Sequence, residues 1–150
     1  MPEIYSDGLD IGAILARWHV AVAAENLGAF ASFVGTVRAE NDISALSFDI
    51  YSPLLIKWFN GWQEKAKGRG AIVFMAHAKG DVSIGASSYI AAIASPKRRV
   101  ALEMIEAFVE DFKKNAPIWK YDVIDGRRVF AADRAFDLPH SGMLSAMIST

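Results

Sequence analysis

KKNAPIWKYDVIDGRRVF (113–130) decides the fold. Pro117 carries no amide hydrogen and disfavours helix in the residue before it, so a helix ending in two lysines stops here. IWKYDVI (118–124) then reads as a strand, Asp125-Gly126 as a two-residue hairpin turn, and RRVF (127–130) as the returning strand. A helix followed by two adjacent antiparallel strands breaks the strict alternation that a parallel doubly wound sheet requires.

The same punctuation extends upstream. Ser95-Pro96 starts the helix that ends at the lysines, roughly 97–115, with Val100, Ala101, Met104, Ile105, Phe108 and Phe112 on its apolar face. AIVFMAHA (71–78) is a buried strand. Gly80-Asp81 turns into a long strand over 82–94, with an irregularity at Gly85. Ser52-Pro53 caps and opens a second helix, with Leu54, Leu55, Trp58, Phe59 and Trp62 as its buried stripe. ALSFDIY (45–51) alternates as a strand. AFASFVGTVR (29–38) is another, and Gly35 marks a bulge or a close backbone approach. Asp10 caps a first helix reaching about Glu25, with Ile11, Ile14, Leu15 and Trp18 on one face. The order α-β-β-α-β-β-α-β-β predicts an α+β fold: one domain over 1–150, about three helices and a mostly antiparallel sheet.

Composition agrees with a folded domain. Apolar residues make up 53% of the 150-residue chain and charged residues 22%, enough for a sizeable core. The formal net charge is -1, against the basic excess of a nucleic-acid binder. There is no cysteine, which excludes disulfides, thiolate metal sites and cysteine nucleophiles. Any sulfur chemistry must use sulfur from another molecule. No apolar run approaches the roughly 20 residues of a membrane span, and no basic n-region precedes an apolar run. These features predict a soluble, cytoplasmic protein.

His19, His77 and His140 make no HxH or HExxH spacing, so no metal site is expected, and His77 reads as a core or strand-end histidine. There is no GxSxG elbow and no phosphate loop. The basic residues are more informative. Arg98 and Lys113, fifteen residues apart on one helix, sit about 60° apart around its axis but about 22 Å apart along it. One small ligand cannot touch both on a straight helix. Their ordinary reading is a solvated first turn and a lysine suited to the C-terminal dipole. Lys120 argues otherwise. It lies in a strand, on the face shared with Ile118 and Asp122 and opposite Trp119 and Tyr121, where lysine is disfavoured away from edges and solvent. A lysine beside aromatic bulk can be desolvated, which suits proton transfer or nucleophilic work. Arg38, at the end of another strand, offers a bidentate anion fork. Together these residues form a candidate phosphate pocket.

GAFASFVGTVRAEN (28–41), ALSFDIY (45–51), His77 ahead of Gly80, SPKRRVALEMIEAF (95–108) and KKNAPIWKYD (113–122) together resemble the large, catalytic subunit of molybdopterin synthase over roughly residues 28–130. The combination of G-x-V-R-x-x-N and K-x-x-x-P-x-W-K is what makes the resemblance specific. It implies an alpha/beta hammerhead-like fold. It also implies conversion of a cyclic pyranopterin monophosphate (precursor Z) into molybdopterin, in molybdenum cofactor biosynthesis. No cofactor is implied. Two sulfurs come from the C-terminal thiocarboxylate of a small ubiquitin-like subunit, and a homodimer of large subunits binds two small ones as a heterotetramer.

By position, the resemblance implies Lys113 and Lys120 as catalytic lysines. It implies Thr36, Val37, Arg38, Lys97, Arg98, Tyr121 and Asp122 at the substrate, with Phe33 and Asn41 also matching. Lys97 and Arg98 are expected to serve a partner copy's site, which would resolve the 22 Å separation. Residues 131–150 are a candidate contact for the small subunit. Three positions depart from the family pattern: Lys97 replaces a histidine, Ala78 an arginine and Asp122 a glutamate. A non-catalytic pterin- or anion-binding paralogue is therefore the alternative, and a purely structural dimer module a third reading.

Overall fold

The computed structural model describes residues 1–131. Its elements are β1 (Glu3–Ser6), α1 (Ile11–Ala24), β2 (Ala29–Thr36), β3 (Ala45–Ile50), α2 (Ser52–Lys67), β4 (Ile72–Ser83), β5 (Ser87–Ser95), α3 (Arg98–Asn115), β6 (Ile118–Ile124) and β7 (Arg127–Phe130). The sheet order is β2-β5-β4-β3-β6-β7, and every pairing along it is antiparallel. The α+β reading with three helices holds for the described residues. Residues 132–150, most of the expected small-subunit contact, lie outside them.

Two expectations need correction. The short strand β1 was not anticipated: it pairs parallel with β4, Glu3 opposite Ala76 through Ser6 opposite Lys79. Four mostly exposed residues carry no periodic signal. What holds β1 is tertiary: the Glu3 carboxylate accepts from the Arg17 guanidinium and from Trp18 Nε1 at 2.8 Å on α1.

The second correction concerns Gly80-Asp81, expected as a turn. β4 runs straight through it. Residues 72–77 pair with β5, whereas residues 80–83 pair with β3. Gly80, at φ +84°, is the bend where one strand changes partner. The reversal comes later, at residues 84–86, where Gly85 has φ +87°.

Helix ends follow the local chemistry. Asp10 accepts from Ala13 N at 3.1 Å. Ser52 is the first residue of α2 rather than its cap, which is Tyr51, and no side chain caps that end. Ser95 Oγ accepts from Ala101 N at 3.0 Å and donates to Lys97 O at 2.6 Å, tying the start of α3 to the end of β5.

Both faces of the central strands are covered. α2 and α3 pack on the face carrying Val73, Met75, Tyr89, Ala91 and Ile93, and α1 packs on Ala76, Ile90 and Ala92. This is why β5 is nearly all buried and why its sequence runs apolar instead of alternating. Phe108 is fully buried, its ring against Trp58, Phe59 and Trp62. Removing such a ring costs about 3–5 kcal/mol. Trp119 is only partly buried and belongs to none of the core clusters.

Candidate active site

The end of α3 sets the site. Ala116 is extended at φ -67°, ψ 136°, and Pro117 follows, so the helix stops after Asn115. Tyr51 N donates to Pro117 O at 3.2 Å, so β6 begins beside the start of α2. In the β3–β6 register Lys120 lies opposite Phe48. Lys113, on the last turn of the helix, and Lys120, in the next strand, therefore line one cleft of about 470 Å³. The proline joins two elements that each contribute one lysine.

The opposite wall is the end of β2. The β2–β5 register shifts between Gly35 and Thr36, the irregularity expected at that glycine. Beyond it, Val37 N donates to Ala86 O at 2.9 Å and Val37 O accepts from Gly85 N at 2.7 Å. Pinned in this way, the chain turns Thr36 and Arg38 into the cleft, and both line it. Val37 itself is 2% exposed and packs with Phe48, Ala78 and Val82. The Val37 side chain is therefore in the core, and its backbone bonds position its two neighbours at the cleft. Arg38 is largely exposed and pairs with Glu40 at 3.3 Å.

Between these walls lie Phe33, Phe48, Phe112, Ile118 and Phe130, with His77 and Tyr89 among the lining residues. His77 is fully buried. Its Nδ1 lies 2.7 Å from Ala78 O, a carbonyl that can only accept, so the ring carries its proton there. Burial pushes its pKa down to about 4, so the imidazole is neutral at pH 7. Tyr89 stacks on Phe112 at 4.1 Å between centroids, and burial raises its phenol well above the ordinary value. Sequence reasoning left Tyr89 and Phe112 out of the site. Phe112 had a visible signal as the neighbour of Lys113, and Tyr89 as the one hydroxyl-tipped ring in an apolar strand.

The other expected residues lie elsewhere. Tyr121 points to the opposite strand face, with Phe130 at 5.8 Å between centroids and the Arg128 guanidinium 4.1 Å over its ring. Asp122, opposite Leu46 and Val129 in the sheet, does not line the cleft. Lys97 and Arg98 are exposed at the far end of α3, outside the cleft. Asn41 sits in the loop after Arg38 with φ 52°. No cluster of metal-ligating side chains occurs among the described residues.

The cleft thus joins three cations, Arg38, Lys113 and Lys120, to aromatic walls. That suits a flat heterocycle bearing an anionic group.

The sequence profile of the MoaE protein family matches residues 5–115. The molybdopterin synthase catalytic subunit of Helicobacter pylori strain 26695 is 47% identical over 145 residues, 97% of this chain and 100% of that protein. A solved protein–protein complex of subunits 1 and 2 of the molybdopterin-converting factor from the same strain contains a chain that superposes with TM-score 0.87. It is 47% identical, covering 89% of this chain and 91% of that one. The molybdopterin biosynthesis MoaE protein of Burkholderia ambifaria superposes with TM-score 0.68 at 28% identity, covering 87% of this chain and 89% of that one.

Proposed function

The chain belongs to the MoaE family of molybdopterin synthase catalytic subunits, and from that premise we propose that its cleft builds the dithiolene of molybdopterin on a cyclic pyranopterin monophosphate. The observation that carries this reading is the convergence of Lys113 and Lys120 on one cleft with Arg38. Arg38 holds the phosphate as a fork. Lys113 acts on the reacting carbons or on the donor's carbonyl, as proton shuttle or electrostatic stabiliser. Lys120 assists and orients the donor's tail.

The sulfur donor is the C-terminal thiocarboxylate of a small ubiquitin-like subunit. This chain has no cysteine to supply sulfur, and the solved relative is a complex of two subunits. A thiocarboxylate that surrenders its sulfur must regain an oxygen from water, so the cleft stays open to solvent at its mouth. No resident cofactor takes part. Two copies of this chain and two small subunits make the assembly. Lys97 and Arg98, remote from Lys113 along α3, reach the cleft of the neighbouring copy. No described helix is long and apolar enough to cross a membrane.

The alternative of a non-catalytic pterin-binding paralogue rested in part on Ala78. That residue is fully buried with Val37 and Val82, outside the cleft, so its departure from the family pattern changes packing rather than the lining. Reconstitution separates the two readings. With thiocarboxylated small subunit and the pterin monophosphate, a catalytic subunit yields the dithiolene product. A binding protein yields none.

A further inference from the structure

Tyr89 is 5% exposed, and its hydroxyl has no hydrogen-bond partner among the described residues. An unsatisfied buried hydroxyl is destabilising, and phenylalanine would fill the same ring space without that cost. Nothing in the packing asks for the oxygen. The ring is held by stacking on Phe112 and by Phe33 at 6.0 Å, contacts that a phenyl ring makes equally well. Yet Tyr89 lines the cleft that holds Lys113 and Lys120. Arg38 and Lys113 are exposed, Lys120 is half-buried and Tyr89 is buried, so the cations lie nearer the mouth and the phenol nearer the floor.

We propose that the Tyr89 hydroxyl is a substrate-binding group that donates a hydrogen bond to a ring carbonyl of the heterocycle while the cations at the mouth hold its phosphate. This rests on the pterin reading above and adds to it the group that orients the ring. Burial keeps the phenol protonated throughout the neutral range, so it remains a donor. Because the hydroxyl is covered, the ligand reaches it as the aromatic walls rotate aside. The unpaired oxygen is a local cost to stability that binding relieves.

The test compares wild type with Tyr89→Phe in three measurements: urea midpoint, calorimetric affinity for the cyclic pyranopterin monophosphate, and turnover with thiocarboxylated small subunit. The variant is expected to keep or raise its midpoint and to bind about 3- to 10-fold more weakly. Its KM is expected to rise more than its kcat falls. Wild-type affinity and KM in the variant would overturn the proposal, as would a lower midpoint, which would mean that the hydroxyl is already satisfied. If wild type binds the pterin but forms no product, the catalytic reading fails while the affinity ratio still judges Tyr89. If wild type does not bind it, both fall.

Discussion

The indole of Trp62 donates to Oδ2 of Asp111 over 2.7 Å, two residues before Lys113. Trp58 donates to the same oxygen at 2.9 Å, and Asn115 donates to Oδ1 at 2.6 Å. One carboxylate on α3 therefore clamps the helix end to α2. Its three donors are neutral, so the bonds are charge-assisted on the acceptor side only. Asp111→Ala should lose about 2 kcal/mol in urea unfolding, because two partly buried indoles lose their acceptor. It should also slow sulfur transfer roughly 10-fold or more, since Lys113 rides on the released turn. Unchanged turnover in a destabilised variant would show that the clamp serves the fold alone.

Adjacent lysines give a sharp comparison. Lys113 lines the cleft and Lys114 does not, though both are exposed on the last turn of α3. Lys113→Ala should reduce dithiolene formation by about 10²- to 10⁴-fold, the range for a general acid–base group. Lys114→Ala should leave it near wild type. Neither should move the melting temperature appreciably, because exposed positions away from caps and pairs contribute little. Equal rates in Lys113→Ala and wild type would remove Lys113 from the mechanism.

Most of the fold was legible because its boundaries have local chemical causes. Pro117 ends α3, Asp10 caps α1, and Asp125-Gly126 turns the last hairpin with φ 51° and 74°. Where boundaries depend on partners, the sequence misled. A glycine before an aspartate looks like a turn, but Gly80 bends a strand that is shared by β5 and β3. β1 depends on distant partners, the β4 ladder and the Arg17 and Trp18 side chains that hold Glu3. The site divides in the same way. Lys113, Lys120 and Arg38 stand out from a helix end and from strand positions, whereas Thr36 entered only through the resemblance. The burial of Val37 was not legible, because its neighbours' side chains face the cleft while its own is taken up by the core. Tyr89 went unnoticed because strand β5 is apolar on both faces, so alternation does not mark its cleft side.

Acid should destabilise the protein in two steps. The folded pKa of His77 is lowered by burial to about 4, below its unfolded value near 6.5. Above pH 6.5 both states are neutral there. As pH falls from 6.5 towards 4, only the unfolded state takes up the proton, and stability drops by about 3 kcal/mol. Below 4 the folded state protonates too and this loss levels off. Glu3 acts over a lower window. Burial alone would raise its pKa, but hydrogen bonds from Arg17, Tyr5 and Trp18, with the charge of Arg17, hold it at about 2. Its contribution is present above about pH 4.5 and fades as pH falls towards 2. Urea midpoints from pH 7 to 4 should therefore decline in wild type and stay flatter in His77→Phe. Parallel curves would mean that His77 titrates normally in the fold.

Two glycines in open surroundings should respond to alanine in opposite directions. At both Gly80 and Gly61 an added Cβ meets nothing within 4 Å, so packing drops out and backbone conformation alone decides. Gly80 holds φ +84° at the bend of β4, a region that L-residues enter at a cost of roughly 1–2 kcal/mol. Gly61 lies inside α2, where alanine reduces the entropy of the unfolded chain and gains about 0.5–1 kcal/mol. Gly80→Ala should lower the urea midpoint and Gly61→Ala should raise it. The bend also decides whether β3 can pair with residues 80–83, and through β3 where β6 and Lys120 lie. Gly80→Ala should therefore reduce turnover as well, while Gly61→Ala keeps wild-type rates. A Gly80→Ala protein as stable and as active as wild type would mean that β4 reaches both partners without the left-handed residue.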